Sequence, residues 1–568
     1  MSEIAEYLQP CLVAFETKWQ PGCRIVLREP TLSISDEALL RRFSWTVDTR
    51  GIRSGLAGKT FYAERYGGYG LGVHGGGARC GYDGDRYQLK GIGPNPLLGI
   101  IGEDDIGQSD GELTLASALY ETIWSRILDV VLPYGANRCQ AVLAVTENGT
   151  CRRALLLRDG YLRPAHFERA AYFRSGGDNA RYEQAEDVKR TSAMCKRLPE
   201  ILAATFNLQT DSQSYLQAGL CEFARRQAAQ IAFANSRFLY HSVSSSNFSL
   251  DGKWHDFTAV SLFEPYDIPV DKDMDSAWAG MWQQYALVAE VLTSWIYHHA
   301  KYAHLSDAMQ QALHTSVLTA FERELYRCYA WHLLCLMGIP RAIAEIIYTE
   351  EPVQAWTTSL LSLLPSFPFW LRQARGDLHL LDLSFSRVTQ HSRNEAFFSQ
   401  ISVERFLQQR DAVRLRVFAV AKERGITAAN VALAIEINVA KFLFRSRELS
   451  YAAMTTFLDA TLDDPGATLD EKIATLQPWC DSVVKLGQFH LHADKGDNIT
   501  CWQDDALTIV FDMRRGTFNV SVNGRSRQLT PAALRDAVST CAEGKAFLDY
   551  CAQNPLGSLL EAWMRDGH

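Results

Sequence analysis

YQLKGIGPNPLL at 87–98, followed by DGELTLASALYETIWSRILDVVL at 110–132, is the stretch whose reading decides the fold. The first run is strand-like up to Lys90 and then breaks on glycines. The second carries apolar residues at three- and four-residue spacing over 113–132, the mark of an amphipathic helix, with Ser109 or Asp110 as its expected cap. A strand ending in Lys90 and a helix carrying Glu121 set an ammonium and a carboxylate where kinases join a phosphate-binding lysine to a glutamate. On spacing alone, the same two residues also read as solvated surface.

Outward from this core, QAVLAV at 140–145 and RALLLRDG at 153–160 are further strands, so Phe43 to about Ala171 is glycine-rich and strand-like around one helix. YGGYGLGVHGGGARCGYDG at 66–84 gathers glycines where a backbone could approach phosphates, or could form a plain hairpin. It fits neither the P-loop pattern nor a clean GxGxxG. Past Asp187, helical periodicity prevails over 187–240, 276–349 and 395–460, broken by a serine-rich loop and short strands between His241 and Asp267. Trp278, Trp282 and Trp295 read as core on these helices. FHLHA, LTIVFDM, FNVSV and the Asn523-Gly524 turn predict a small antiparallel unit at about 486–530, with two short helices after it.

Composition narrows the function. The chain has 568 residues, 47% hydrophobic and 21% charged, with net charge −8 and no segment basic enough to neutralise phosphates, so nucleic acid is not an expected partner. Thirteen cysteines scattered from Cys11 to Cys551 form no CxxC pair and read as reduced thiols in a cytoplasmic protein. Neither a leader-like N-terminus nor an 18-residue apolar run is present in the sequence, so no membrane association is expected.

In SSSNFSLDGKWHDF at 244–257, Asn247 and Asp256 flank a turn at Asp251-Gly252. An amide oxygen and a carboxylate are suitable Mg2+ ligands beside substrate phosphates, although alone they also describe a polar turn.

Taken in order, these segments resemble the selenoprotein-O family of protein-adenylylating enzymes over roughly 62–290. YQLKGIGPNPLL is similar to the family's LQLKGAGxTPYS; DGELTLASALYETI aligns with DGRAVLRSSIREYL and sets Glu121 at the ion-pairing glutamate. RDGYLRPAHFE resembles RVAPSHLRFGSFE, with Arg158 and Arg163 at the two phosphate-binding arginines but two residues fewer between them. SSSNFSLDGKWHDFTAVSLFEPYDIP follows the family's metal-binding segment, keeping the Asn247–Asp256 spacing and Glu264-Pro265-Tyr266-Asp267 beyond it.

The resemblance implies a protein-kinase-like two-lobed α+β fold: an N-terminal arm at 1–48, an N-lobe at 49–186, a mostly helical C-lobe at 187–465, and an extension at 466–568 with the small β unit. It implies ATP bound with its α-phosphate toward the acceptor, and AMP transfer. Lys90, Glu121, Arg158 and Arg163 would hold phosphates, Gly75, Gly77, Arg79, Asp110 and Gly111 would line the nucleotide, and Asn247 and Asp256 would carry Mg2+. The family's catalytic base, an aspartate just before the asparagine, is Ser246 here, and a serine is too weak a base for that role.

Three readings follow from that change. The chain is a silent pseudokinase scaffold or the partner subunit of a modification enzyme, or His241, His255 or Asp251 substitutes for the base, or the acceptor is already an anion. An anionic acceptor is a peptide C-terminal carboxylate, as in microcin-type maturation. A phosphotransferase of ordinary kinase orientation is disfavoured by the two arginines and the lack of an HRD-type loop.

Overall fold

The computed structural model describes residues 3–47, 58–68, 77–98, 110–147, 150–170, 180–209, 214–263, 278–366, 403–443, 449–492 and 494–553. The chain is α+β. Its N-terminal part builds an eight-stranded sheet from β1 (Leu12–Trp19), β2 (Cys23–Arg28), β3 (Trp45–Thr46), β4 (Gly58–Glu64), β5 (Cys80–Tyr82), β6 (Tyr87–Lys90), β7 (Cys139–Glu147) and β8 (Thr150–Asp159). The spatial order is 2-7-8-6-5-4-1-3, every pairing antiparallel. Residues 1–48, expected as an arm, instead supply β1, β2 and β3. Their apolar residues are too few and too short-ranged to stand out in sequence, but Val26 and Leu27 enter the main core.

Successive strand residues face opposite sides, and the two sides bury different partners. Leu89, Leu143, Leu155 and Leu157 pack with Phe43 of the helix Asp36–Phe43, whereas Val142, Ala144, Ala154 and Leu156 pack with the long helix Leu115–Val131. With Glu3–Leu8 as α1, these two helices are α2 and α3. Gln88 and Lys90 alternate with Leu89 and therefore face α3. The cap of α3 is Thr114, whose Oγ1 accepts the Ser117 amide at 3.1 Å. Asp110 caps the preceding turn instead, its Oδ1 taking the Glu112 amide at 2.8 Å, and Ser109 lies outside the described residues.

Helices fill the rest: α4 (Ala180–Phe206), α5 (Tyr215–Ser236), α6 (Gln284–Ala303), α7 (Asp307–Leu336), α8 (Arg341–Ile347), α9 (Glu351–Leu363), α10 (Val403–Glu423), α11 (Ala428–Leu443), α12 (Tyr451–Asp463) and α13 (Leu469–Leu491). Trp278, Trp282 and Trp295 are buried among them, as their periodicity predicts. A two-stranded ribbon, β9 (Leu239–Tyr240) with β10 (Ser261–Leu262), brackets the polar hairpin expected to bind metal.

At the C-terminus, β11 (Asn498–Gln503), β12 (Leu507–Asp512), β13 (Thr517–Val522) and β14 (Arg525–Leu529) form an antiparallel sheet, followed by α14 (Pro531–Ser539) and α15 (Lys545–Gln553). The sheet begins later than predicted, because FHLHA opens as the last turn of α13. That helix packs on α3, where Gly487 lies so close to Ile127 that an added Cβ would sit 2.4 Å from its Cδ1. All thirteen cysteines are free. Among the described residues, no helix is long and apolar enough to cross a membrane.

Candidate functional site

The face alternation of β6 delivers Lys90 to α3. Its Nζ lies 2.7 Å from Glu121 Oε2 and 2.7 Å from Asp256 Oδ1. Lys90 and Glu121 are each 1% exposed, whereas the Asp256 side chain is 26% exposed and forms the open end of the triad. The pair continues inward as a polar ladder: Arg158 Nη1 donates to Glu121 Oε1 at 3.1 Å, Arg158 Nε to Gln88 Oε1 at 2.6 Å, and Gln88 Nε2 to Glu64. His166 Nε2 stands 3.3 Å from Glu64 Oε2. Burial pushes the Asp256 carboxyl up, but Lys90, Arg79 and Arg158 outweigh it and hold the group well below the usual carboxylate range. Asp256 is therefore ionised at neutral pH.

The second half of the site is a true hairpin. His255 N donates to Asn247 O at 3.2 Å, Phe248 bridges Trp254, and Ser249 N donates to Lys253 O at 2.9 Å around the Asp251-Gly252 turn. Asn247 and Asp256 thus leave its open end one rung apart, with Asp256 in a left-handed conformation at φ 65°. Asn247 Nδ2 is anchored on Ser242 O at 2.8 Å, which fixes its amide oxygen as the acceptor, and that oxygen takes a hydrogen bond from Ser246 Oγ at 3.4 Å. Ser246 Oγ also pairs with Ser244 Oγ at 2.9 Å, and its carbonyl receives Arg163 Nη1 at 2.6 Å.

Of the three substitutes for the missing base, His255 and Asp251 are otherwise occupied and His241 is a weak one. His255 Nε2 contacts Ser246 O at 2.5 Å while Nδ1 lies 3.3 Å from Asn137 Nδ2, so the ring donates to the carbonyl and its lone pair accepts from the amide. Asp251 holds the tip of the turn, accepting from Ser249 Oγ and from Lys253 N at 3.3 Å. His241 is buried and stacked on Trp254 at 4.9 Å, with the Asn247 backbone near but neither nitrogen hydrogen-bonded; burial lowers its pKa to about 4.

The other expected residues divide. Arg79, half-buried, projects enough charge toward Asp256 to lower that carboxyl. Gly77 has φ +76°, and a Cβ there would lie 2.5 Å from Glu64 O, so only glycine makes this turn. Asn95 pins the same turn by donating to Cys80 O at 2.8 Å and to Gly77 O. Gly111, at φ +68°, lies against Gly93 and Pro94 and its carbonyl accepts the Gly93 amide at 3.0 Å, so with Asp110 it shapes the loop after Lys90. Arg158 and Arg163 are 2% and 1% exposed and committed to protein partners, Arg163 also to Tyr161 Oη at 2.9 Å. Gly75 and Glu264 to Asp267 lie outside the described residues.

Sequence reading missed Gln88, Glu64, His166, Asn95 and Tyr161. Gln88 was accessible, since it lies two residues before Lys90 on the same strand face. Glu168 was missed as well: it is wholly buried, and neither carboxylate oxygen is hydrogen-bonded, although Ser245 and Ser294 stand near. Burial raises its pKa to about 7 against the pull of those two hydroxyls.

Among the described residues, no three His, Cys, Asp or Glu side chains converge to hold a metal by themselves. What the open end of the hairpin offers is one ionised carboxylate beside a buried lysine and one amide oxygen, a donor set that would need a ligand's own oxygens to complete it. No family model matches the sequence, and comparison with curated proteins gives no match.

Proposed function

We propose that the chain is a kinase-like AMP transferase that takes ATP with Mg2+ and adenylylates a peptide or protein acceptor through a carboxylate. The observation that carries this reading is the buried Lys90–Glu121 pair extended to the ionised, partly open Asp256. Lys90 and Arg79 supply positive charge for phosphate oxygens, and Asp256 with Asn247 supplies the hard oxygen donors Mg2+ prefers. Mg2+ would neutralise phosphate charge when bound. Arg158 supports the site from behind by bracing Glu121, and Arg163 braces the Ser246 backbone.

The acceptor class follows from proton bookkeeping. A hydroxyl must lose its proton as its oxygen attacks the α-phosphorus, and of the described candidates Ser246 is too weak a base, His255 and Asp251 are hydrogen-bonded elsewhere, and His241, its pKa lowered to about 4 by burial, is a poor one. A carboxylate arrives without that proton. Its oxygen would bond to the α-phosphorus as the bond to the β-phosphate oxygen breaks and pyrophosphate leaves, giving a mixed anhydride ready for ligation.

The second reading, a nucleotide-binding scaffold, is favoured by the same Ser246. Incubation with α- and γ-labelled ATP, Mg2+ and peptides with free or amidated C-termini separates them. Label retained from the α position alone, only on free carboxyl termini and released by hydroxylamine, is the expected result. Nucleotide binding without transfer supports the scaffold, and transfer from the γ position overturns the orientation.

A further inference from the structure

A second cluster of charge lies away from the Lys90 ladder, where the helical part meets the C-terminal sheet. A cavity of about 40 Å3 there is lined by Arg237 just past α5, Arg341 opening α8, Asn438 and Lys441 on α11, and His492 and Asp494 between α13 and β11. Among its described lining residues, three permanent cations face one carboxylate. That carboxylate is shared, since Asp494 Oδ2 takes Lys441 Nζ at 3.0 Å and Oδ1 takes Thr500 Oγ1 at 2.6 Å. Arg237 is 4% exposed, its guanidinium over the Phe233 ring and its Nε 3.4 Å from the Leu491 carbonyl. Arg341 stacks on Trp331 at 4.7 Å and donates Nε to Glu345 at 2.7 Å.

The surroundings confirm a positive field. Burial lowers the pKa of Arg237, and Arg341 adds to it; burial drives His332 well below its ordinary value, with Arg237 and Arg341 adding again. Cys335, also in the lining, is pushed up to about 11 by burial and stays a neutral thiol, so it contributes no negative charge. Cations that outnumber the carboxylates among the described lining of a largely desolvated pocket carry an electrostatic cost, and a bound anion relieves it.

We propose that this cavity binds a small tetrahedral oxyanion of the phosphate or sulfate class, gripped by Arg237 and Arg341, and that the bound anion fastens the C-terminal sheet to the helices. Guanidinium forks match such oxygens in bidentate fashion. The cavity exceeds the roughly 10–15 Å3 that one water needs, yet is far too small for a nucleoside. The proposed occupant is thus a free inorganic anion, which fills the cavity without a nucleoside.

The test is thermal melting of the full chain in inorganic phosphate, sulfate or chloride at matched ionic strength, for wild type, Arg341→Gln and Lys90→Met. A saturable rise of about 2–4 °C with phosphate and sulfate, absent with chloride, is expected in wild type and in Lys90→Met, and lost in Arg341→Gln. Persistence in Lys90→Met separates this site from the nucleotide site, whatever the fate of the transferase reading. Should Arg341→Gln melt too early to compare, Arg341→Lys keeps the charge without the fork and is expected to bind phosphate at least 5-fold more weakly by calorimetry. Equal stabilisation by chloride, an undiminished response in the Arg341 variants, or no saturable binding of phosphate by wild type would each overturn the proposal.

Discussion

At the scale of single residues, the distribution of charge around Glu121 yields an asymmetric prediction. Glu121 neutralises two buried cations, Lys90 and Arg158, whereas Lys90 neutralises Glu121, which keeps Arg158, and Asp256, which can turn to water. Removing one partner of a buried pair costs most when the orphaned charge has no other relief. Glu121→Gln should therefore destabilise by roughly 3–5 kcal/mol and Lys90→Met by roughly 1–3 kcal/mol, measured by urea melts, while both abolish ATP binding. Glu168 gives a prediction in pH. Its folded pKa of about 7 exceeds the ordinary 4.5, so the folded chain keeps a proton that the unfolded chain releases between those values. Its contribution is complete below the unfolded value and is lost as pH rises through the folded one. Glu168→Gln should thus match wild type near pH 5 and exceed it by about 3 kcal/mol near pH 8. Lys90, Glu121, Asn247 and Asp256 were legible because each pairs a residue type with a motif position. Glu64, His166 and Glu168 were not, because only the folded sheet brings them behind the ladder.

Among elements, the sequence signal was strongest where periodicity was long. The helix over 113–132 and the strands at 140–145 and 153–160 could be read directly, since α3 repeats its apolar spacing for several turns and β7 and β8 are short continuous apolar runs, buried on both faces, bounded by turn signals. FHLHA misled because its apolar-polar alternation over five residues also fits the end of an amphipathic helix, and the decisive fact, the docking of α13 on α3, is tertiary. That docking turns on Gly487. An added methyl would gain helix propensity of up to about 1 kcal/mol but would push against Ile127 at a cost of roughly 1–3 kcal/mol. Gly487→Ala is expected to destabilise on balance. Ile127→Val removes the Cδ1 atom in the way, so the double variant should be more stable than the sum of the two single changes, and additivity in such a cycle would show that the helices do not meet there as described.

For the whole molecule, the boundary expected at 465 becomes a physical question: whether 466–568 is an ornament or part of the machine that holds Lys90. The contacts favour the latter. α13 covers the side of α3 opposite the sheet, Gln477 Nε2 reaches the Val26 carbonyl of β2 at 2.9 Å, and Arg126 Nη1 on α3 meets Asp481 at 3.1 Å. Beyond α13, Asp497 receives Arg424 at 2.7 Å, and Asn430 Nδ2 reaches the Met513 carbonyl at 3.0 Å, so the small sheet is joined to α10 and α11 as well. None of this was legible, since partners from 73 to 451 residues apart leave no local trace in a single sequence. The helix that carries Glu121 thus depends on the C-terminal segment for one of its walls, beside the sheet, the turn at Phe257–Ala259 and α12. A chain ending at 465 should therefore lose more than its β unit: Ile127 and Leu128 would face water, α3 would loosen, and the Lys90–Glu121 pair would lose its dry setting. Calorimetry of the intact chain should show the C-terminal segment melting together with the eight-stranded sheet, and the truncated chain should neither unfold cooperatively nor bind ATP. A truncated chain that melts as sharply as the intact one and keeps its nucleotide affinity would instead make the C-terminal segment a separable addition, and would place the support of α3 on the sheet, Phe257–Ala259 and α12.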